Sequence, residues 1–519
     1  MSFVSKVFGL ARLGKRLRPF LQTPLTLEAA KAEIRRGMAI RDAAFLRTLE
    51  RAVFSYPRSP YLKLFRYAGC ELGDVRNLVT HNGLEEALRK LIEAGIYVTF
   101  EEFKGMRPAR RGSEIFTFRN ADFDNPLITR YYESSSGGTS GPPARISVDF
   151  DHITQSAPHW AVLFAEHNAV DAPLILWTPP HSGIANRYLM CAKFGKRFER
   201  WFTLLRLGTV RSRIKTTCVH TLIRYIGQFP KSVYVPIDAA ATVAEYLLRL
   251  RDGGACPVIN TSPSAAIRIC QVVKESTATL EGVTFILGAE PVTAARKKAI
   301  EASGAKAVAV YGFSEGGGVG AQCRHASSAD DVHIFMDAFA VIQRNSAYAD
   351  KDHSDTLLFS SLRPACPKIM INTEIGDSAV FDSRPCDCLF GEAGYMLHLS
   401  HIRSLDKLTG EGMTVRAADI YPIIEDMLPR RFGGLPGHYQ FVEKQGSNGL
   451  TQYRLLVSPE VGIVDEESVQ KAFTQALRAM NKSYRHMVDL WSAAGSVSVV
   501  RRSPCATGRG KVLPFRILN

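Results

Sequence analysis

A chain of 519 residues has room for two to four structural units, and its 46% hydrophobic content lets all of it be globular. No run of about 18 apolar residues occurs, which argues against a membrane-spanning helix. The net charge is +15 and ten cysteines are scattered along the chain, which argues against a disulfide scaffold and for reduced thiols or metal ligands in a cytoplasmic protein.

Residues 1–20 carry five Lys/Arg and no acid, with Phe3, Val7, Leu10, Leu13 and Leu17 at helical spacing. They lack the long apolar stretch and small-residue cleavage site of a secretory leader. Such a helix either lies on a membrane surface, making the protein peripheral to it, or docks on its own protein, the commoner case. Residues 26–105 show amphipathic helical patterns and little strand signal, so residues 1–125 are predicted as a helical extension packed on a large domain that starts at 126. Strand–turn–helix units come next. Apolar runs at 174–177, 283–287 and 307–310 predict buried strands, residues 261–264 open a helix through Val273, and Thr293 is a predicted N-cap. Short buried strands alternating with helices predict an α/β sheet covered on both faces, spanning 126–403. Predicted helices at 420–428 and 467–482, with an alternating strand at 453–457, make 404–519 a small α+β domain. The polar, glycine-containing stretch 403–412 suits a hinge between the two.

Residues 187–231 hold eleven Lys/Arg against Glu199 alone. A local basic face suits an anionic partner, whether a nucleotide tail, an acidic carrier protein, a lipid headgroup or nucleic acid, or is simply solvated.

Several motifs carry chemistry. The run Glu133–Ile146 is rich in Ser, Thr and Gly. It reads either as a linker or as a loop whose hydroxyls and backbone N–H groups close on phosphate, although no GxxxxGK[ST] is present. Tyr311-Gly312-Phe313-Ser314-Glu315 comes directly after a predicted strand, where ligands of open α/β sheets bind. There a Tyr offers a flat face to a base, a Ser a hydroxyl to phosphate and a Glu a hard oxygen to Mg²⁺. Gly288-Ala289-Glu290-Pro291 also comes after a strand, Asp377 in Glu374-Ile375-Gly376-Asp377 suits a ribose diol, and the terminal Thr507-Gly508-Arg509-Gly510-Lys511 puts a Lys on a glycine turn.

In this order, the motifs resemble the adenylate-forming superfamily of acyl- and aryl-CoA ligases, and most closely its phenylacetate–CoA ligase-like members, from about residue 130 to the end. The resemblance implies a large N-terminal α/β adenylate-forming domain with a small mobile C-terminal α+β lid. It implies ATP β,γ-phosphate binding by Ser136, Gly138, Thr139, Ser140 and Gly141. Gly288, Ala289, Glu290 and Pro291 would lie beside adenine. Tyr311 would stack near adenine with Gly312 beside it, Ser314 would contact the α-phosphate, and Glu315 would help bind Mg²⁺. Asp377 and Arg403 match a ribose-binding pair, Asp406 the hinge, and Lys511 the lysine bridging carboxylate and α-phosphate. Two departures stand out: Pro142 replaces the usual phosphate-loop Lys, and the stretch 407–413 lacks the usual Arg-Gly pair.

Cys323, His333, Cys386 and Cys388 form a three-thiolate, one-imidazole set suited to structural Zn²⁺, with His325 or Cys366 as alternative ligands; free buried thiols are the other reading. The order also looks like the zinc site of some phenylacetate-ligase-like proteins.

The sequence therefore predicts ATP-dependent activation of a carboxylic acid to an acyl- or aryl-adenylate. The acyl group then passes to the thiol of CoA or of a carrier's phosphopantetheine, with the basic segment as the acceptor's docking face. An amide- or ester-forming relative is a second reading, and a non-catalytic nucleotide- or nucleic-acid-binding protein a third, disfavoured by the motif set. Trp177, His181 and Pro263 are candidates for the acid pocket.

Overall fold

The computed structural model describes residues 15–129, 132–135, 145–179, 183–206, 229–344, 356–404, 407–446, 448–506 and 512–518. Among them, twelve strands form one sheet. Its first half is parallel: Leu174–Thr178 (β1), Phe198–Thr203 (β2), Ser232–Tyr234 (β3), Val258–Thr261 (β4), Thr284–Leu287 (β5) and Lys306–Phe313 (β6), in the spatial order β3-β2-β1-β4-β5-β6. Every residue of β4 and β5 is buried, because helices cover both faces of a parallel sheet. The predicted helix starts are present. Ser262 accepts from the Ala265 amide ahead of Pro263–Glu275, and Thr293 accepts from the Arg296 amide ahead of Ala294–Glu301. Strand order reverses between β1 and β4, which opens a crevice at the carboxyl ends of these strands.

The second half was not legible as strands in the sequence. Gly317–Ala321 (β7), Val332–Ile334 (β8), Phe339–Arg344 (β9), Thr356–Ser361 (β10), Thr373–Ser383 (β11) and Leu397–Ser404 (β12) continue the sheet beyond β6 with antiparallel pairing, in the order β7-β8-β12-β11-β10-β9.

The N-terminal helices, from Leu27–Ala39 to Phe100–Lys104, brace this antiparallel half. Tyr61 Oη lies 2.6 Å from Thr373 Oγ1, and the Asn372 amide donates to the carbonyls of Leu88 (2.8 Å) and Ile96 (3.1 Å). Residues 15–22 are helical and docked on the protein's own body: Leu17 and Phe20 are buried, and Phe20 packs on Phe150 at 5.1 Å. For that part the docked reading replaces the membrane-surface one. No helix among the described residues is long and apolar enough to cross a membrane.

A separate four-stranded sheet, Tyr439–Gln445 (β13), Thr451–Val457 (β14), Val497–Arg501 (β15) and Phe515–Leu518 (β16), has the order β15-β14-β13-β16. The predicted helix at 467–482 ends instead at Met480. Asn481 is extended, and its side chain caps the next helix, Lys482–Ala494, by accepting from the Tyr484 amide.

Candidate active site

A cavity of about 590 Å³ lies at the carboxyl ends of β4, β5 and β6. It gathers motifs far apart in the sequence: Gly288, Ala289, Glu290 and Pro291 leaving β5, Tyr311 to Glu315 leaving β6, and Asp377 on β11. Backbone geometry explains two of these residues. A Cβ at Gly312 would lie 2.3 Å from the Gly317 carbonyl oxygen, where the pairing of β6 with β7 shifts register. Ala289 holds a left-handed φ of 68°, a conformation that costs a non-glycine residue energy and turns the chain sharply at the cavity wall.

Tyr311 Oη donates to Asp377 Oδ2 at 3.0 Å, and Ser404 Oγ to Oδ1 at 2.7 Å. Burial, with Asp377 beside it, pushes the Tyr311 hydroxyl well above its usual range, so it stays a donor. The predicted partner of Asp377 is elsewhere. Arg403 pairs in register with Ser378 while Ser404 pairs with Asp377, and successive side chains of a strand face opposite ways. Arg403 instead contacts Asp330 at 3.0 Å, so the structure separates Asp377 from Arg403 and puts Ser404 in its place.

Ser314 is exposed to the cavity, whereas Glu315 is buried. Burial alone would push the Glu315 carboxyl up. The Lys104 ammonium, in direct contact, and Lys368 further off outweigh it and hold the carboxyl below its ordinary range. Lys104 ends the short helix Phe100–Lys104 and also lines the cavity. Nothing in the sequence marks it, since 211 residues separate the partners.

Glu290 acts as a brace as well as a lining residue. Its Oε2 accepts from Ser264 Oγ at 2.6 Å and lies 3.1 Å from Arg296, while Oε1 accepts from the Gly412 amide. Gly412 belongs to the turn of the hairpin Lys407–Gly410 and Met413–Arg416. Glu411 beside it is fully buried and paired with Arg268 at 2.9 Å. Thr409, Met413 and Thr414 of this hairpin, with His486 from the helix Lys482–Ala494, also line the cavity. The C-terminal segment therefore forms part of its wall.

Ser136, Gly138, Thr139, Ser140, Gly141, His181, Asp406 and Lys511 lie outside the described residues. Two other acid-pocket candidates are not in the wall. Trp177 is fully buried in β1, donating to the Val235 carbonyl at 3.0 Å, and Pro263 is buried in the first turn of its helix.

The basic segment is not one face among its described residues. Lys193 is buried and donates to the Phe20 carbonyl at 3.0 Å. Lys196 is buried against the carbonyls beyond the helix Phe150–Glu166, including Val170 at 2.8 Å, and burial pushes its ammonium down to about 8. Arg187 lines the cavity. Cations that cap carbonyls inside the fold are unavailable to a partner. Residues 207–228 lie outside the described set.

The four predicted zinc ligands do converge. The ligand atoms of Cys323, His333, Cys386 and Cys388 lie within 4.8 Å of one another, with Cys323 Sγ 3.7 Å from Cys386 Sγ and Cys388 Sγ 3.2 Å from His333 Nε2. Sulfurs bound at about 2.3 Å to a tetrahedral ion stand roughly 3.7 Å apart, so the set fits Zn²⁺. Hydrogen bonds from Cys323 and from His333 lower the proton affinity of the Cys388 thiol. His333 Nδ1 is oriented by the Tyr395 carbonyl at 3.1 Å, as a metal-bound imidazole requires. Cys366 is buried elsewhere, against Asn125, and His325 is outside the cluster.

No protein-family model matches the chain, and no curated protein matches its sequence. Among solved structures, a 2-hydroxyisobutyryl-CoA ligase in complex with 2-HIB-AMP and CoA superposes with a TM-score of 0.56 at 16% identity, covering 92% of this chain and 90% of that one. An amide bond synthetase from Marinactinospora thermotolerans gives 0.41 at 12% identity, over 93% and 97% of the two chains. An acyl-CoA synthetase from Brucella canis gives 0.33 at 13%, over 88% and 76%. The first likeness shows the fold: over 92% of its length the chain shares the fold of that CoA ligase.

Proposed function

We propose that the protein is an adenylate-forming acid ligase of the phenylacetate–CoA ligase-like type, which joins a carboxylic acid to AMP and then passes the acyl group to a thiol of CoA or of a carrier. The observation that carries this reading is the convergence of Gly288–Pro291, Tyr311–Glu315 and Asp377 on one cavity at the crevice of the sheet. A carboxylate is a poor electrophile. Its oxygen attacks the α-phosphorus of ATP, pyrophosphate leaves, and a mixed anhydride remains that a thiolate opens at the acyl carbon, releasing AMP.

The chain's own groups suit these steps. The peptide planes of Gly288–Pro291 and the Tyr311 ring supply flat surfaces for a base, and Asp377 offers two carboxylate oxygens to a ribose diol. Ser314 presents a hydroxyl to the α-phosphate. Glu315, kept ionised by Lys104, is a donor for Mg²⁺, which when bound would neutralise pyrophosphate charge. Lys511 would bridge the carboxylate and the α-phosphate during the first step. The residues after 404 would act as a lid turning at Asp406, exchanging the Lys511 turn for the 407–416 hairpin as the cavity's wall between half-reactions. Cys323, His333, Cys386 and Cys388 would hold a Zn²⁺ that fixes the exit of β7 to the connection between β11 and β12.

ATP–pyrophosphate exchange over a panel of aryl, fatty and dicarboxylic acids tests the reading. Exchange is expected with at least one acid and a loss of about 100-fold or more in Lys511→Ala. Absence of exchange with every acid, or full exchange in Lys511→Ala, would contradict it.

A further inference from the structure

Arg187 is the one cavity-lining cation that the proposed chemistry leaves unused among the described residues. It projects from the helix Gly183–Lys193 and donates to Asn260 Oδ1 of β4, and its guanidinium stacks over the Trp160 ring at 4.8 Å. No carboxylate among the described residues pairs with it, and the sequence of 207–228 contains no acid. Burial lowers its proton affinity with only Cys191 opposing that shift, which is the signature of a cation lacking a counter-ion. A half-buried guanidinium without an anion is costly to keep, and one that faces a ligand cavity recovers that cost from the ligand.

Its place in the sheet says which part of the ligand it meets. Asn260 pairs in register with Ile286 of β5, and Ile286 with Val308 of β6. Two inter-strand steps put Asn260 roughly 10 Å across the sheet from β6. The Ser314–Glu315 turn lies further on, since Val308 to Tyr311 alone advances about 10 Å along the strand. The guanidinium hydrogen-bonded to Asn260 is therefore held on the β4 side of the cavity, two strands across the sheet from β6. Trp160 forms an apolar wall beside it, and its Nε1 would stand 3.9 Å from a Cβ at Gly318.

We infer that the acid this protein activates carries a second carboxylate at its far end, and that Arg187, held by Asn260 and Trp160, selects for it. The inference rests on the adenylate-forming reading above and narrows its substrate class to dicarboxylic acids. An anion at Arg187 could instead be a phosphate of the acceptor thiol, and the test separates the two because exchange needs no thiol.

The measurement compares a series of dicarboxylic acids with chain-matched monocarboxylic acids in ATP–pyrophosphate exchange, in wild type and in Arg187→Gln and Arg187→Lys. Binding of the same acids in the absence of ATP is monitored by thermal shift. Wild type is expected to favour one diacid over its matched monoacid by about 100-fold in kcat/KM. Arg187→Gln should lose most of that preference while its monoacid rate stays within about threefold, and Arg187→Lys should keep part of it. Equal or better use of monoacids by wild type would overturn the inference and leave the adenylation reading standing; that comparison needs no variant and so survives a misfolded Arg187→Gln. Equal loss of diacid and monoacid in a folded Arg187→Gln would also overturn it, marking Arg187 as holding the reacting carboxylate. If no acid supports exchange but a diacid stabilises wild type and not the variants, the Arg187 site stands and the adenylation reading falls.

Discussion

The Glu315 carboxylate shows how neighbours decide what a motif residue can do. Its burial favours the neutral acid, and a protonated carboxyl is a poor donor to a hard cation. Lys104 reverses that balance. Replacing Lys104 by Met leaves burial dominant, so the Glu315 pKa rises. The acidic limb of the kcat/KM–pH profile for exchange is then expected to move to higher pH. An unmoved limb would mean that the ion pair does not set the ionisation of Glu315. At this scale the sequence singled out Glu290, Tyr311, Ser314 and Glu315, which line the cavity with Asp377, because each sits in a compact local motif at a strand's carboxyl end. It missed Lys104, Ser404 and Arg187 because their roles come from tertiary contact. It paired Arg403 with Asp377 because strand alternation cannot be read without the register.

Elements explain the rest of what was and was not legible. The parallel strands β1, β5 and β6 announce themselves as apolar runs, since both of their faces are buried, whereas Asn260 and Thr261 hide β4. The antiparallel half hides its pattern behind glycines, as in β7, and behind buried polar residues such as Thr356, Ser360 and Thr373 in β10 and β11. The Cys–His cluster ties β7, β8 and the loop after β11, so the proposed zinc belongs to this half. One zinc per chain is expected by elemental analysis, and Cys388→Ser is expected to lower both zinc content and the melting temperature; a metal-free wild-type protein of unchanged stability would count against the site.

On the C-terminal sheet, Glu443 of β13 has Oε2 buried without a partner among the described residues. Burial pushes its carboxyl from 4.5 up to about 7, against the opposing pull of Arg296 and with Glu290 adding to the rise. The folded state thus keeps a proton that the unfolded chain has released. Glu443 therefore costs stability as pH rises from about 4.5 to about 7, on the order of 1–3 kcal/mol in full. Glu443→Gln is expected to raise the melting temperature at pH 8 and leave it nearly unchanged at pH 4.5. An equal effect at both pH values would rule out this linkage.

For the molecule as a whole, one cavity is assembled from distant stretches of chain, the antiparallel half contributing Asp377 and Ser404. The parallel crevice supplies its floor, the N-terminal helices contribute Lys104, and the C-terminal segment closes over it through Glu290–Gly412 and Arg268–Glu411. The sequence conveyed the order of the motifs and hence the fold. It did not convey that His486 would line the cavity, because that depends on tertiary contact between distant stretches of chain. The function proposed for this cavity joins the carboxylate oxygen to phosphorus. Incubation of an accepted acid labelled with ¹⁸O in its carboxylate, with ATP and with hydroxylamine as acceptor, reads that bond directly. One ¹⁸O in the released AMP, together with an acyl hydroxamate, is the predicted result; unlabelled AMP, or label found in inorganic phosphate instead, would contradict the account.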